Sequence, residues 1–188
     1  MFARRRSTQR PRLTVELVPQ TCWYSNVRSE LSSDDWDLVR RAVYRQAGNR
    51  CEVCGGRGPR HPVECHEVWV YDDQRHVQRL ERMLALCPAC HECKHMGHAN
   101  VTGHGARARR HLAQVNGWSA SQVERYVELA FAVWQQRSQH EWQLAISALD
   151  AYGVAPAAPQ SDAAGGLTIR RLSEQEAIHL LRDAGAID

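Results

Sequence analysis

Hydrophobic and polar side chains recur with clear periods along the chain, and these periods predict its first elements. Residues 13–18 alternate between apolar and polar side chains, which is typical of a half-buried strand, and Pro19 ends the run. Ser33 then caps a predicted helix that continues to Gly48. The apolar residues that recur at helical spacing in this helix are Trp36, Val39, Val43 and Ala47.

Helical periods return in the second half of the chain and predict a helical layer over residues 105–153. One helix ends at Asn116, and the capping-box pair Ser119 and Gln122 opens a longer helix. A third helix is predicted over residues 141–152. Aromatic side chains at helical spacing usually pack in the core rather than stack on bases. We therefore expect core positions for Trp134, Trp142 and Leu144.

The two ends of the chain differ in composition from its middle. Residues 1–12 carry five arginines and no acidic residue, which predicts a basic flexible arm. Residues 154–168 are rich in Ala, Pro and Gly, the composition of a linker. An amphipathic pattern within residues 169–188 predicts a short C-terminal helix, which either packs on the domain or docks a protein partner.

Composition narrows the class of protein. The 188 residues are 43% hydrophobic and 24% charged with a formal net charge of +3, which excludes wholesale disorder and a collagen-like repeat. No stretch approaches the roughly 18 uncharged apolar residues of a membrane span, and the first residues lack the apolar block of a secretory signal. We expect a cytoplasmic protein with no membrane association. Seven cysteines in such a chain favour metal ligation over disulfides.

Four of the cysteines form two CxxC pairs, Cys51 with Cys54 and Cys87 with Cys90. Two such pairs complete the closed tetrahedral shell of a structural Zn²⁺, and Gly55 suits the sharp turn after the first pair. The alternative is two redox-active or disulfide-linked pairs, but a thioredoxin-type site has one CxxC before a helix in a βαβ setting. A closed zinc site performs no hydrolysis, so any chemistry requires a second site.

Three histidines are candidates for that second site. Pro88 favours a helix start, and His91 and His95 lie four residues apart on one helical face, where two imidazoles can bind one metal. His66, in the apolar stretch 63–71, would be the third ligand. Three nitrogen ligands leave positions for water and a phosphate oxygen.

These residues resemble the HNH endonuclease family, the ββα-metal nucleases. The family pattern is a CxxC, a strand with an acidic residue before a histidine pair, a loop with an asparagine, a short strand and a CxxCH on the metal-binding helix. This sequence reads CEVC, VECHEVW, YDDQRHVQRLER, MLAL and CPACHECKH over about residues 50–98. The resemblance implies an α+β fold, in which a zinc-anchored ββα-metal module is surrounded by N- and C-terminal helices within a nuclease-like domain over residues 13–153.

Two positions depart from the family pattern. Glu67 stands where the family has the histidine that activates water, and Arg82 stands where it has the asparagine. A carboxylate can accept a proton from metal-polarised water, although it is a weaker base than imidazole. A slipped register, with Cys65 as a ligand and His66 as the base, is the alternative; Val68 and Trp69 fit it less well.

The resemblance implies a metal-dependent hydrolase that cuts the phosphodiester bonds of DNA or, alternatively, of RNA. His66, His91 and His95 would bind a divalent cation such as Mg²⁺, Mn²⁺, Ni²⁺ or Zn²⁺, and Glu67 would deprotonate the attacking water. A single site cuts one strand, so double-strand cleavage would need a homodimer or two binding events.

The other polar residues of this region would support the reaction. Arg82 and Lys94 would clamp phosphate oxygens, and Glu64 would orient His66 or a basic side chain. Arginines suited to the nucleic-acid backbone are Arg57, Arg60, Arg107, Arg109 and Arg110.

Two other functions fit the same residues. A catalytically inactive, zinc-stabilised nucleic-acid-binding or adaptor protein would explain the replacements at Glu67 and Arg82. A protein that stores or senses metal or redox state would use the cysteines and histidines directly.

Overall fold

The structure, a computed structural model, describes residues 10–23 and 26–154. Residues 10–12 of the predicted arm and Val154 of the predicted linker lie in this part of the chain. The rest of the arm, the rest of the linker and the predicted C-terminal helix over residues 169–188 lie outside it.

The described residues form a mixed α+β fold with a three-stranded sheet, which confirms the predicted class. The helices are α1 (Val27–Glu30), α2 (Ser33–Gln46), α3 (Pro88–Lys94), α4 (Met96–Val101), α5 (Gly105–Asn116) and α6 (Ala120–Arg137). The strands are β1 (Glu64–Asp72), β2 (Val77–Leu86) and β3 (Gln143–Ala145), and short 3-10 helices cover Gln20–Cys22 and Ser147–Tyr152. Among these helices, none is long and apolar enough to cross a membrane.

An antiparallel hairpin of β1 and β2 forms the centre of the fold. Its register runs from Glu64 opposite Leu86 to Asp72 opposite Val77, with an irregularity after Val68. Both strands extend into the loop predicted over residues 71–82: β1 continues to Asp72, and β2 begins at Val77 with buried and exposed side chains alternating over residues 78–81. β3 pairs in parallel with the outer edge of β2, and α3 follows β2 directly.

The two faces of the hairpin pack against different helices. Leu84 and Leu86 belong to a core cluster with residues of α3, α5 and α6. Trp69, Tyr71 and Leu80 belong to a second cluster with residues of α1 and α2. Because successive side chains of a strand point to opposite faces, each residue of β1 faces one cluster or the other. This alternation decides which side chains can share a site.

The alternation in residues 13–18 reflects burial but not a strand, so this prediction was wrong. Leu13 is fully buried and Val15 nearly so. The segment is extended and bonds to helices instead of a sheet: the Leu13 amide donates to Asn116 Oδ1 at 3.0 Å, and the Val15 amide donates to Tyr126 Oη at 3.1 Å. An apolar-polar alternation is equally produced by an extended chain that lies across a helical layer.

The predicted helix over residues 141–152 was also wrong in its first half. Residues 143–145 form β3, because the Gln143 amide donates to the His76 carbonyl at 2.8 Å and joins the sheet edge. Only the 3-10 helix Ser147–Tyr152 is helical. Trp142 and Leu144 do pack against the second cluster, as expected of core residues.

The helix boundaries were closer to prediction. Ser32 rather than Ser33 caps α2, since its side chain accepts from the Asp35 amide at 3.1 Å. The capping box of Ser119 and Gln122 at the start of α6 is confirmed. α5 ends at Asn116, as predicted.

Candidate metal centres

Four thiols converge between the first CxxC and the start of α3. The Sγ atoms of Cys51, Cys54, Cys87 and Cys90 all lie within 4.8 Å of one another, and those of Cys54 and Cys87 are 3.6 Å apart. Four sulfurs at such distances could bind a metal such as zinc, which takes four thiolates in a tetrahedral shell. The cluster is also mostly buried, as a structural site requires.

Local backbone bonds place the first pair of thiols. The Gly55 amide donates to the Cys51 carbonyl at 2.8 Å, and the Cys51 amide donates to the Gly56 carbonyl at 2.9 Å, which closes a tight turn. Gly55 has a φ of +75°, a left-handed conformation that glycine adopts without steric cost. The Gly56 amide points at Cys54 Sγ at 3.4 Å, so the turn directs a donor at one of the candidate ligand sulfurs.

The second pair of thiols lies at the beginning of α3, with Cys87 as its N-cap. A hydrogen bond from Cys90 lowers the pKa of Cys51 to about 4, whereas burial raises the pKa of Cys87 to about 11. Metal ligation requires the thiolate form of cysteine, and the hydrogen bond from Cys90 stabilises that form at Cys51.

The sequence did not point to two other contacts of this cluster. Cys90 Sγ lies 3.2 Å from His111 Nε2 of α5. Glu52, inside the first CxxC, accepts from the Ala85 amide at 2.7 Å and from Arg82 at 3.1 Å. These bonds attach the thiol cluster to β2 and to the helical layer, so an ion held there would join three parts of the fold.

The three predicted histidines converge in a second group. One ring nitrogen from each of His66, His91 and His95 lies within 4.8 Å of the others, and the Nε2 atoms of His91 and His95 are 3.1 Å apart. Ring centroids are separated by 5.3 Å for His66 and His91 and by 5.1 Å for His66 and His95. The sequence thus correctly predicted that these rings lie together.

Each element contributes to this convergence in a different way. His66 projects from β1 on the face that packs toward α3, and it is 5% exposed. His91 lies in α3, and His95 follows its last residue at the junction with α4. Because His66 is buried and His95 is exposed, the group is closed on the sheet side and open to solvent on the helix side.

Carboxylates hold two of the rings. Glu64 Oε2 lies 2.6 Å from His91 Nδ1, and Glu16 Oε2 lies 2.9 Å from His66 Nε2. Glu64 was predicted to orient His66 or a basic side chain, but its partner is His91. Glu16 was missed, because it lies in the segment predicted as a strand, and its only signal was an acidic residue within an apolar alternation.

The electrostatics of the group favour the neutral form of His91 and His95. Desolvation and the neighbouring His66 ring lower the pKa of His91. Desolvation, together with the neighbouring His91 and His66 rings, lowers the pKa of His95 to about 3. A neutral imidazole carries the lone pair that a metal requires, so these two rings are ligand-ready at neutral pH.

Glu67 does not face the histidines, which corrects its assignment as the base beside them. It follows His66 in β1 and therefore points to the opposite face. Its carboxylate accepts from the Val27 amide at 2.9 Å and from Trp69 Nε1 at 3.1 Å, inside the second cluster. Burial raises the pKa of Glu67. Its contacts are those of a residue that joins α1 to the sheet.

The alternative register, with Cys65 as a ligand and His66 as the base, disagrees with the same alternation of side chains along β1. Cys65 also faces the second cluster, where it packs among partly buried residues, and burial raises the pKa of its thiol to about 12. A protonated thiol on the far side of the strand cannot ligate an ion held by His91 and His95. The ligand half of that alternative is therefore excluded.

Two cations predicted to clamp phosphate have other partners. Arg82 lies in β2 rather than in a loop, and its guanidinium donates to Glu52 at 3.1 Å. Lys94 is 5% exposed; its ammonium donates to Thr14 Oγ1 at 2.7 Å and to Glu16. A buried and paired ammonium is not available to a nucleic-acid backbone, so the prediction for Lys94 needs correction.

The five predicted backbone-binding arginines lie at the surface in different states. Arg57, Arg60 and Arg110 are exposed. Arg107 is also exposed but pairs with Glu92 at 2.9 Å, and Arg109 pairs with Glu124 at 3.0 Å. Arg107 contacts Glu92 through two nitrogens, and Arg109 also donates to Asn100 Oδ1 at 2.7 Å, so both guanidinium groups are engaged within the fold.

No family model, no curated protein and no solved structure matches this chain. Any function must therefore be argued from the residues and from the geometry of the two clusters.

Proposed function

We propose that this chain is a metal-dependent endonuclease of the HNH type that hydrolyses the phosphodiester bonds of DNA. The observation that carries the proposal is the convergence of His66, His91 and His95 beside a separate four-thiol cluster. An enzyme of this type needs one structural and one catalytic metal site. Four sulfurs suit a closed structural zinc site, and three nitrogens leave room for water and substrate.

The residues fit a divalent cation at the histidines. Lowered pKa values of His91 and His95, a buried anchor in His66 and an exposed edge at His95 are what an open metal site needs. An ion there would act as a Lewis acid on the phosphate and would lower the pKa of water toward neutrality. Glu64 holds the His91 ring through Nδ1 and leaves Nε2 for the ion, a role that outer carboxylates have at many metal sites.

The acceptor of the water's proton differs from the one that the family resemblance implied. Glu67 lies on the other face of β1, where it bonds to α1 and to Trp69. The proposed reaction therefore does not use Glu67; water acidified by an ion at the histidines would release its proton to bulk solvent, which reaches the exposed edge at His95. Exposed arginines, above all Arg57, Arg60 and Arg110, would bind the backbone without reading sequence.

The second candidate is a catalytically inactive nucleic-acid-binding or adaptor protein. The observation that favours it is the orientation of Glu67, because the residue in the position of the family's base cannot reach the histidines. In this case the histidine cluster would bind an ion, or stay free of metal, without cleaving any substrate.

A nicking assay on supercoiled plasmid tests the proposal. Purified protein is incubated with Mg²⁺, Mn²⁺, Ni²⁺ or Zn²⁺, and single-stranded DNA and RNA are tested in parallel. His91→Ala should abolish nicking, whereas His98→Ala, which removes an exposed histidine outside the cluster, should retain it. Intact nucleic acids with every metal, from protein shown to bind a second ion, would favour the adaptor. Nicking that survives His91→Ala would contradict the proposed site.

A further inference from the structure

The histidine cluster is held by a residue from outside the stretch that resembles a nuclease motif. Glu16 belongs to the extended segment over residues 13–18, yet its carboxylate reaches His66 Nε2 at 2.9 Å. We infer that Glu16 is a positioning residue of the proposed metal site: it fixes the His66 ring with its proton on Nε2 and leaves the lone pair of Nδ1 for the ion. The inference rests on the proposed function, because it concerns the same site.

The chemistry of the ring requires such a partner. A neutral imidazole carries one proton, and the hydrogen bond made by one nitrogen decides which nitrogen keeps the lone pair. Ligating histidines almost always donate their other N–H to a carboxylate, a carbonyl or water. Glu64 has this position at His91, and Glu16 has it at His66. Two of the three rings are thus oriented by carboxylates from different parts of the chain.

Glu16 is itself held rigidly. Lys94 donates to its other carboxylate oxygen and also to Thr14 Oγ1 at 2.7 Å. The Glu16 amide donates to the Lys94 carbonyl at 3.0 Å. Lys94 directly precedes His95, so these bonds fasten the extended segment to the helix end that carries a ligand. The carboxylate therefore has little freedom to leave His66.

Glu16 also affects the charge near the proposed metal site, because it pairs with the ammonium of Lys94. Lys94 is buried, and an unpaired ammonium there would repel a dication. Glu16 neutralises that ammonium while it orients His66. A variant that removes only Glu16 changes both properties, so a second variant has to remove the lysine charge as well.

Metal binding tests the inference directly. Protein with Zn²⁺ in the thiol cluster is titrated with Ni²⁺ in a calorimeter, for the wild type, Glu16→Gln and the double variant Glu16→Met with Lys94→Met. The matched control is Asp73→Asn. Asp73 is also a buried acid; it lies in the turn between β1 and β2 and pairs with Arg137, the last residue of α6. We expect affinity about 10–100-fold weaker in Glu16→Gln and in the double variant, and a change of no more than about twofold in the control.

Side-chain ¹⁵N NMR of the wild type shows which nitrogen of the His66 ring carries the proton, and this distinguishes a positioning role of Glu16 from a contribution to stability alone. The inference predicts that the His66 ring carries its proton on Nε2. A proton on Nδ1, a Glu16→Gln affinity within about twofold of the wild type, or wild-type affinity in the double variant would overturn the role of Glu16. If the wild type itself binds no second ion, the proposed metal site and this inference both fail.

Discussion

Lys94 offers the sharpest test of the structural reasoning, because sequence and structure give it different roles. Burial raises the pKa of Glu16, but Lys94 and His66 outweigh this effect and hold the pKa at about 2, against an ordinary value of 4.5. Such a difference corresponds to about 3 kcal/mol of stability, and breaking a buried pair by removal of one partner costs about 3–5 kcal/mol. Lys94→Met should therefore destabilise the fold by about 3 kcal/mol.

The assay is urea unfolding followed by circular dichroism, with thermal unfolding as a check. A loss of about 3 kcal/mol lowers the melting temperature by roughly 6–12 °C in a chain of this length. Because the folded pKa of Glu16 is depressed, its stabilisation is present above pH 4.5 and is lost as the pH falls toward 2. The difference between wild type and Lys94→Met should shrink over that window.

The control is Arg60→Met, which removes an exposed cation and should change stability by less than about 0.5 kcal/mol. A Lys94→Met variant with wild-type stability but much weaker DNA binding would contradict the buried, paired state of Lys94. In that case the ammonium would be free to contact phosphate, and its pairing with Glu16 would not describe the protein in solution.

Three further predictions concern the thiol cluster and Glu67. Cys90→Ser should release zinc and cost at least about 4 kcal/mol, because metal binding is part of the folding energy of such sites; a metal-free variant that melts like the wild type would argue against a structural zinc. Gly55→Ala should cost about 1–2 kcal/mol in urea unfolding, since φ is +75° there, and an unchanged midpoint would contradict this turn. Glu67→Ala should cost about 2 kcal/mol, because it leaves the Val27 amide and Trp69 Nε1 without their acceptor, while Ni²⁺ affinity at the histidines stays the same; loss of that affinity with unchanged stability would restore Glu67 to the site.

The local patterns in the sequence were sufficient to predict both clusters. Two CxxC pairs and the His91–His95 spacing each depend on a short turn or one helical face, so the geometry follows from the residue types. His66 could be predicted as the third histidine of the cluster because the β-branched residues around it indicate a strand. The structure brings each set within 4.8 Å.

The surroundings of the clusters could not be predicted in the same way. The Glu16–His66 contact spans 50 residues, and no local period encodes it. The alternation of side chains along a strand was enough to predict that Glu67 faces away from His66. The family resemblance instead favoured Glu67 as a base beside His66. Residues 143–145 became a strand through pairing with β2, a tertiary effect that overrides a helical pattern.

The proposed function requires two ions in two different donor sets. Crystals of zinc-loaded protein, measured on both sides of the zinc absorption edge, locate both ions in one experiment. We expect one anomalous peak enclosed by Cys51, Cys54, Cys87 and Cys90, and a second peak bonded to nitrogens of His66, His91 and His95. A peak at the thiols alone, or a second ion bound away from the three rings, would rule out the proposed metal site.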